Sequence, residues 1–303
     1  MAEQSYKQQV SLLLSVLPEV AKESCFALHG GTAINLFVRE MPRLSVDIDL
    51  TYLPLEDRLS TLIKINTALD EIKSRIIRII PDVRITHQHS VCKLLISQRG
   101  MQIKVEVNTI MRGSLPTPSK RLLCVKAQND FDAFCSINVL PLGQLYGGKI
   151  CAALDRQHPR DLFDVKYLLK AEGLNDEVKT GFLLCLLSSD RPISEVLNPN
   201  LIDQRQTLAN HFDGMATEPF TYDDFEATRA QLIGSIRASL TAADKQFLLS
   251  FKNLKPDWGI HNFEMFPAIQ WKLQNLQKLK DRNSAKHLEL LQRLERLIAS
   301  YES

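Results

Sequence analysis

The stretch HGGTAINLFVREMPRLSVDIDLTY, residues 29–52, decides the fold of this protein. Its last part, residues 46–52, alternates polar and apolar side chains with a period of two, which predicts a β-strand. Side chains two positions apart on a strand point to the same face, so Asp47 and Asp49 share one face while the apolar residues beside them point to the core. The pattern therefore predicts a strand that presents two carboxylates together.

Paired carboxylates of this kind repel each other, and a cation between them removes the repulsion. Mg²⁺, or Mn²⁺ in the same role, is the natural partner because it prefers oxygen ligands and keeps open positions for water and phosphate. We therefore predict that Asp47 and Asp49 bind a divalent metal ion. The alternative is a solvent-exposed acidic pair on an edge strand.

A glycine pair upstream of the aspartates predicts a phosphate-binding turn. Residues 24–29 form a short apolar run that is typical of a buried strand, and Gly30-Gly31 ends it before a predicted helix that starts at Thr32. Glycine lets the backbone approach a phosphate closely, and the free N–H groups at a helix start attract anions. We expect Gly30, Gly31 and the Thr32 hydroxyl to contact phosphate, although tight turns without a ligand use the same residues.

A third carboxylate occurs on a later predicted strand, residues 103–109. Val105 and Val107 face one way on this strand, and Glu106 faces the other. If the strand pairs beside the one that carries Asp47, Glu106 completes a cluster of three carboxylates. Such clusters hold two metal ions roughly 3.5–4 Å apart in phosphoryl-transfer enzymes. The alternative is an ordinary surface residue of a strand.

The remaining sequence predicts an α/β first half and a helical second half, with a boundary near residue 140. Apolar residues recur at helical spacing or alternate at strand spacing. In the first half they predict helices over 6–20 and 55–79, strands over 83–87, 91–97, 103–109 and 134–139, and a loop over 113–120. After residue 142 the helical period dominates, and residues 270–301 predict a long helix that breaks near residues 281–283.

The composition is that of an ordinary intracellular globular protein. The 303 residues are 45% hydrophobic and 24% charged, and the net charge of +2 neither requires nor excludes a nucleic-acid partner. No stretch of about 18 apolar residues predicts a membrane span, and the N-terminus lacks the pattern of a signal peptide. The six cysteines form no C-x-x-C pair and lie mostly among apolar neighbours, so we predict a cytoplasmic protein with reduced thiols and no membrane partner.

Two charged positions of the helical half are candidates for chemistry. Lys149 lies among apolar residues of a predicted helix, where its ammonium group could reach triphosphate oxygens and offset their charge. Asp161 lies at a predicted helix start, where a carboxylate often only compensates the helix dipole. The alternative for Lys149 is an ordinary exposed lysine, and the alternative for Asp161 is an aspartate that only compensates the helix dipole. Asp164 is a second candidate for the functional carboxylate.

In combination these motifs resemble the DNA polymerase β-type nucleotidyltransferase superfamily, which shares the glycine turn, the Asp-x-Asp strand and a later carboxylate. More narrowly, GGTAINL (residues 30–36) and RLSVDIDL (residues 43–50) resemble the AbiEii/AbiGii toxin family, which is related to the MenT toxins. In the second half, Lys149 with its neighbours and RDLFD (residues 160–164) resemble that family's lysine and R-D-x-x-D segments. Residues 267–275 resemble its C-terminal pattern, so the resemblance covers most of the chain.

The resemblance implies an α+β fold of the polymerase β type. A catalytic domain with a small mixed sheet, residues 1–140, would be followed by a helical domain, residues 141–303, that completes the active cleft. The resemblance also implies that Lys149 neutralises the triphosphate and that Asp161 orients Lys149 or acts as a base. Ser45 is expected to contact phosphate or to shape the turn.

The activity that the resemblance implies is transfer of a nucleoside monophosphate from an NTP to an acceptor, with release of pyrophosphate, by the toxin of a toxin–antitoxin system. Related toxins add nucleotides to the 3′ end of tRNA, so tRNA is the expected acceptor and a cognate antitoxin the expected protein partner. Asp47, Asp49 and Glu106 would hold the Mg²⁺ or Mn²⁺ ions, although many superfamily members have aspartate where Glu106 stands. Two alternatives stay open: a kinase on the same scaffold, and a non-catalytic module that binds an NTP or the antitoxin.

Overall fold

The structure is a computed structural model that describes residues 2–301, with side chains from residue 4 onward. These residues divide into two compact units. Unit 1 contains the chain up to Pro141 together with Thr207–Phe220, and unit 2 contains Leu142–Gln206 and the chain from Thr221 onward. Within residues 2–301, no helix has the length and apolar character needed to cross a membrane.

Unit 1 is built on one mixed β-sheet. Its strands are β1 (Phe26–His29), β2 (Asp47–Tyr52), β3 (Arg84–Gln88), β4 (Lys93–Gln98), β5 (Met101–Asn108), β6 (Ser119–Leu122) and β7 (Ser136–Val139). Their order in the sheet is β3-β4-β5-β2-β1-β7-β6. Strand β2 is antiparallel to β1 and parallel to β5, and β7 is parallel to β1. Because β2 is central in this sheet, the alternative of an acidic pair on an edge strand is wrong.

Helices of unit 1 cover this sheet and bury its apolar side chains. They are α1 (Ala2–Val20), α2 (Gly30–Ala33), which continues as a π-helical turn (Ile34–Val38), α3 (Arg58–Ile79), a 3₁₀ turn (His89–Val91) and α4 (Val125–Phe131). Helix α1 packs on β5 and on α3, and α3 packs on β3 and β4. Ile48 of β2 and Val105 of β5 are completely buried, and burial of each such side chain stabilises the fold by about 1.5–3 kcal/mol. This packing fixes which faces of β2 and β5 stay accessible.

The chain after Pro141 is helical in the part that the structure describes. Its helices are α5 (Leu142–Asp155), α6 (Pro159–Ala171), α7 (Asp176–Ser188), α8 (Ile193–Leu197), α9 (Arg205–His211), α10 (Tyr222–Ser239), α11 (Ala242–Lys252), α12 (Pro267–Arg282) and α13 (Ser284–Ala299). The predicted break in the last long helix is confirmed. It occurs at Asn283, whose side chain accepts a hydrogen bond from the backbone N–H of Lys286 and so begins α13.

Several element bounds and two short elements differ from the sequence prediction. Helix α2 begins at Gly30, two residues before the predicted start at Thr32. Strand β6 and helix α4 were not predicted. Strand β6 is a four-residue edge strand, Ser119–Leu122, with two basic residues and no alternating pattern. Short charged edge strands are common because they discourage pairing with other chains, and they leave a weak sequence signal.

Glycines allow helices α5 and α7 of unit 2 to pack backbone against backbone. A Cβ atom added to Gly147 would lie 2.3 Å from the carbonyl carbon of Gly181. A Cβ atom on Gly181 would lie 1.9 Å from the carbonyl oxygen of Gly143. Neither contact can be relieved by rotating a side chain, so these positions need glycine. Helix α5 carries Lys149, and this close packing fixes its position in the unit.

Replacement of Gly181 by alanine is expected to lower the free energy of unfolding by about 1–3 kcal/mol or more, because the added methyl group forces the two helices apart. The control is Gly234→Ala in α10, where an added Cβ meets nothing within 4 Å. That change should raise stability by about 0.5–1 kcal/mol because glycine is unfavourable inside a helix. Urea unfolding measures both changes, and equal effects of the two substitutions would contradict the close helix contact.

Candidate active site

The three predicted metal-binding carboxylates lie on two neighbouring strands of unit 1. In the parallel pairing of β2 with β5, Asp49 is the partner of Glu106 and Asp47 is the partner of Lys104. The residues between them point into the core, whereas Asp47, Asp49 and Glu106 are partly exposed. Asp47, Asp49 and Glu106 therefore lie on one face of the sheet. The predicted cluster of three carboxylates requires this pairing of β2 with β5. We call these three residues the acidic cluster.

Two lysines balance the charge of the acidic cluster. Lys104 Nζ lies 3.8 Å from Asp47 Oδ2 and 3.3 Å from Glu106 Oε2, and Lys93 Nζ lies 3.2 Å from the same Glu106 oxygen. Burial alone would lower the pKa of Lys104, but the charges of Asp47, Asp49 and Glu106 outweigh it and raise the pKa above its ordinary value. Burial alone would raise the pKa of Glu106, but hydrogen bonds from Lys93 and Lys104 lower it.

The donors of the acidic cluster fit a hard divalent cation. They are carboxylate oxygens of partly exposed side chains, which Mg²⁺ and Mn²⁺ accept as ligands. The lysine contacts show that this face attracts positive charge. The ligand atoms of the three residues do not form a set that lies mutually within 4.8 Å in the described part of the chain. Side-chain rotation of Asp47, Asp49 or Glu106 would therefore accompany metal binding.

Gly30 brings the predicted phosphate-binding turn against the acidic cluster. Its φ angle is +72°, a left-handed conformation that side chains disfavour. A Cβ atom at this position would also lie 2.5 Å from Asp49 Oδ2. Two independent constraints, backbone conformation and space, therefore require glycine where β1 meets α2. The result is a carboxylate oxygen directly beside a helix start.

Gly31 lies against the side chains of Arg43 and Ser45. A Cβ atom on Gly31 would lie 2.7 Å from Arg43 Nη2 and 2.9 Å from Ser45 Oγ. Thr32 is completely buried, and its hydroxyl contacts the carbonyl oxygen of Asp47 and lies 3.0 Å from Ser45 Oγ. Thr32 therefore connects the turn to β2 and positions Ser45. A direct contact between Thr32 and phosphate stays a prediction.

A distant segment of unit 1 holds the loop that carries Arg43. The backbone N–H of Leu44 donates to the carbonyl oxygen of Met215 at 2.8 Å, and that of Thr217 donates to the carbonyl oxygen of Pro42 at 2.9 Å. Arg43 and Ala216 form an isolated antiparallel bridge between these bonds. The sequence contains no signal for this contact because the two segments are far apart in the chain.

The predicted Lys149 and Asp161 form a buried ionic cluster within unit 2. Lys149 is 7% exposed, so the alternative of an ordinary exposed lysine is wrong. Its Nζ atom lies 2.9 Å from Asp161 Oδ1 and 3.0 Å from Asp164 Oδ2. Arg156 completes the cluster, with its Nε atom 2.6 Å from Asp161 Oδ2. Both candidate carboxylates therefore contact the lysine, and two cations balance two anions.

Opposing effects act on the ionisation of Asp161. Burial alone would raise its pKa, but the charge of Lys149 and the hydrogen bond from Arg156 outweigh burial and hold the pKa well below its ordinary value. Asp161 also lies in the first turn of α6, where the helix dipole favours a negative charge. The carboxylate is thus ionised and fixed by its partners, which suits a role in orienting Lys149.

Comparison with known proteins gives one family and one fold. The family described as "Nucleotidyl transferase AbiEii toxin, Type IV TA system" matches residues 11–275. Among solved structures, the MenT4 nucleotidyltransferase toxin from Mycobacterium tuberculosis aligns with a TM-score of 0.61 and 14% sequence identity, covering 91% of this chain and 95% of that chain. No curated protein matches the sequence. The identity to MenT4 is low, so that match establishes the fold, which agrees with the predicted fold class.

Replacement of Lys149 by methionine is expected to lower the free energy of unfolding by about 3–5 kcal/mol, because it leaves Asp161 and Asp164 buried with too little positive charge. The matched control is Lys170→Met, which changes an exposed lysine of α6 and should alter stability by about 0.5 kcal/mol or less. Chemical unfolding followed by circular dichroism measures the difference. Similar small effects of both substitutions would show that the buried ion pairs contribute little.

The lowered pKa of Asp161 predicts how this contribution depends on pH. Because the pKa in the folded protein lies below the ordinary value of 3.8, the stabilisation is complete above that value and is lost as the pH falls through the folded pKa. The difference in unfolding free energy between the wild type and Asp161→Asn should therefore be constant between about pH 7 and 5 and shrink below about pH 4. A difference that stays constant down to about pH 2 would argue against an ionised Asp161 as the source.

Proposed function

Because the chain belongs to the AbiEii nucleotidyltransferase toxin family of type IV toxin–antitoxin systems, we propose that it transfers a nucleoside monophosphate from an NTP to the 3′ end of tRNA and releases pyrophosphate. Nucleotidyl transfer and the role of toxin follow from the family. The acceptor, the divalent metal and the roles of individual residues are the proposed parts. Family resemblance is the support for tRNA as the acceptor.

The observation that carries the proposal is the juxtaposition of the acidic cluster and the Gly30-Gly31 turn. Asp49 lies in register with Glu106 and directly against Gly30. A triphosphate bound at a helix start would have its negative oxygens beside these carboxylates, an arrangement that is favourable only with cations between them. Asp47, Asp49 and Glu106 would hold Mg²⁺ or Mn²⁺, which when bound neutralises the triphosphate and activates the attacking hydroxyl.

The residues around the turn supply the contacts to phosphate in this proposal. The backbone N–H groups of Gly30 and Gly31 belong to the first turn of α2, where N–H groups lack partners inside the helix. The Ser45 hydroxyl and the Arg43 guanidinium lie beside Gly31, and groups of both kinds can donate hydrogen bonds to anions. These groups would orient the NTP for in-line attack, so that acceleration comes from positioning and charge stabilisation.

Lys149 and Asp161 have a separate place in the proposal. We propose that Asp161 and Asp164 hold the ammonium group of Lys149 in one position within unit 2, and that Lys149 offsets triphosphate charge. Its short contacts to two carboxylates support an oriented lysine. The cognate antitoxin that the family implies is the expected protein partner.

Incubation of the purified protein with tRNA, Mg²⁺ and each NTP labelled on the α-phosphate tests the proposal. We expect label on tRNA with at least one NTP that is labelled on the α-phosphate. We expect no label on tRNA when the NTP is labelled on the γ-phosphate instead. Asp47→Asn and Asp49→Asn should lower the rate by about 100-fold or more, because each removes a ligand of the metal ion that would stabilise the transition state. Asp130→Asn, which alters an exposed aspartate of α4 that pairs with Lys126, should leave the rate unchanged.

Other results of this assay would select one of the alternatives. Label on the acceptor from the γ-phosphate identifies a kinase. NTP binding without label on RNA or protein identifies a non-catalytic module. Label on RNA other than tRNA, or on protein, retains nucleotidyl transfer but refutes the proposed acceptor. Label that persists in both aspartate variants refutes the proposed metal ligands.

A further inference from the structure

A second group of metal-ligating side chains lies in unit 1, apart from the acidic cluster. It consists of Asp70 on α3, His87 on β3 and His89 in the 3₁₀ turn that follows β3. One ligand atom from each lies within 4.8 Å of the other two. Strand β3 is an edge strand, and β4 separates it from β5, which carries Glu106. Neither the family match nor the proposed transfer reaction accounts for this group.

The contacts of His87 show which ring nitrogen is available to a metal. Asn66 Nδ2 donates to the carbonyl oxygen of Leu62 at 2.9 Å, so Asn66 Oδ1 is the atom that faces His87 Nε2, also at 2.9 Å. An amide oxygen only accepts, so His87 Nε2 carries a hydrogen. The other nitrogen, Nδ1, lies 2.8 Å from Asp70 Oδ1. Histidines that bind metals show this arrangement, in which one nitrogen faces the ion and the other donates to an oxygen.

The second imidazole lies directly against the first. The ring centroids of His87 and His89 are 3.6 Å apart and the rings are tilted by 32°. Two imidazoles in such contact repel each other when both are protonated, whereas a shared cation favours both in the neutral form. The His87 side chain is 2% exposed and is held by Asn66 and Asp70, while His89 and Asp70 are exposed. One ligand is therefore fixed and two are free to adjust.

We propose that Asp70, His87 and His89 bind one transition-metal ion of the Zn²⁺ class. His87 Nδ1, a ring nitrogen of His89 and a carboxylate oxygen of Asp70 would be the ligands. Two imidazoles and one carboxylate are a donor set that zinc accepts, with water in the fourth position. Mg²⁺ prefers oxygen ligands, so this site and the acidic cluster select different ions.

The distances allow the ion to bind without a change of backbone. Zinc lies about 2.0–2.2 Å from nitrogen and oxygen ligands, so ligand atoms on one ion are about 3.3–3.6 Å apart. His87 Nδ1 and Asp70 Oδ1 are 2.8 Å apart and the group spans 4.8 Å at most, so rotation of the exposed Asp70 and His89 side chains can bring all three separations into this range. The bound ion would lie between His87 Nδ1 and Asp70 Oδ1, and any proton that it displaces goes to solvent. It would link α3 to the end of β3.

Titration of the full chain with Zn²⁺ in excess Mg²⁺, followed by calorimetry, tests the site. The Mg²⁺ occupies hard oxygen sites, so the zinc signal reports nitrogen-containing ones. We expect one equivalent of Zn²⁺ to bind, and His89→Ala and Asp70→Asn each to weaken binding by about tenfold or more. Because both side chains are exposed, neither variant should unfold the protein, and circular dichroism checks this. Co²⁺ in place of Zn²⁺ should give a visible absorption band that both variants lose.

The matched control is His211→Ala, which removes another exposed histidine of unit 1 and should leave zinc affinity unchanged. Absence of stoichiometric zinc binding, or wild-type affinity in both cluster variants, would overturn the proposal. Equal losses in His89→Ala and His211→Ala would assign the zinc to scattered surface histidines and would also overturn it. These readouts do not involve nucleotide transfer, so their outcome is independent of the proposed function.

Discussion

The parallel pairing of β2 with β5 is the contact on which the candidate active site depends, because it brings like charges together at the centre of a sheet. A shift of register by one residue would turn Glu106 into the core and Val105 or Val107 outward. Burial of the valines on one face therefore fixes the carboxylate on the other. The resulting repulsion between Asp49 and Glu106 is offset by Lys93 on β4 and Lys104 on β5, and this need for positive charge supports the proposal that the face binds a metal ion.

The Gly30-Gly31 turn lies against the acidic cluster because of its shape, and not because of an electrostatic attraction to the carboxylates. Gly30 adopts a left-handed conformation and leaves no room for a Cβ atom beside Asp49. The strands thus determine where the carboxylates lie, and the absence of a side chain at Gly30 lets a helix start approach them. Thr32 then joins the turn to β2 through the carbonyl oxygen of Asp47. An arrangement that concentrates negative charge beside N–H donors is maintained by packing and by the hydrogen bond from the Thr32 hydroxyl to the backbone of β2.

Local patterns could predict the elements of this site but not its partners. Alternation identified the faces of β2 and β5, and Gly30-Gly31 marked the turn, because both signals lie within a few residues. Lys104 shares the face of Glu106 by the same alternation, so its place beside the acidic cluster follows from the local pattern. Lys93, and the bridge between Arg43 and Ala216, depend on which distant segments pair, and no local pattern encodes that. For the same reason Asp70 could not be connected with His87 and His89 from the sequence.

In the acidic cluster and in the ionic cluster of unit 2, lysines balance the negative charge of neighbouring carboxylates, but the two clusters differ in burial. Lys104 and Lys93 are partly exposed, and such pairs contribute only about 0–1 kcal/mol, so a divalent cation or a polyphosphate complex can displace them at low cost. Lys149 is buried between Asp161 and Asp164, and separating it from them would leave charges without partners at a cost of about 3–5 kcal/mol. Burial therefore distinguishes Lys93 and Lys104, which a bound cation can displace, from Lys149, which stays in place. This difference supports the proposal that the cluster on β2 and β5 binds the metal, and it shows that Asp161 and Asp164 hold Lys149 in one position.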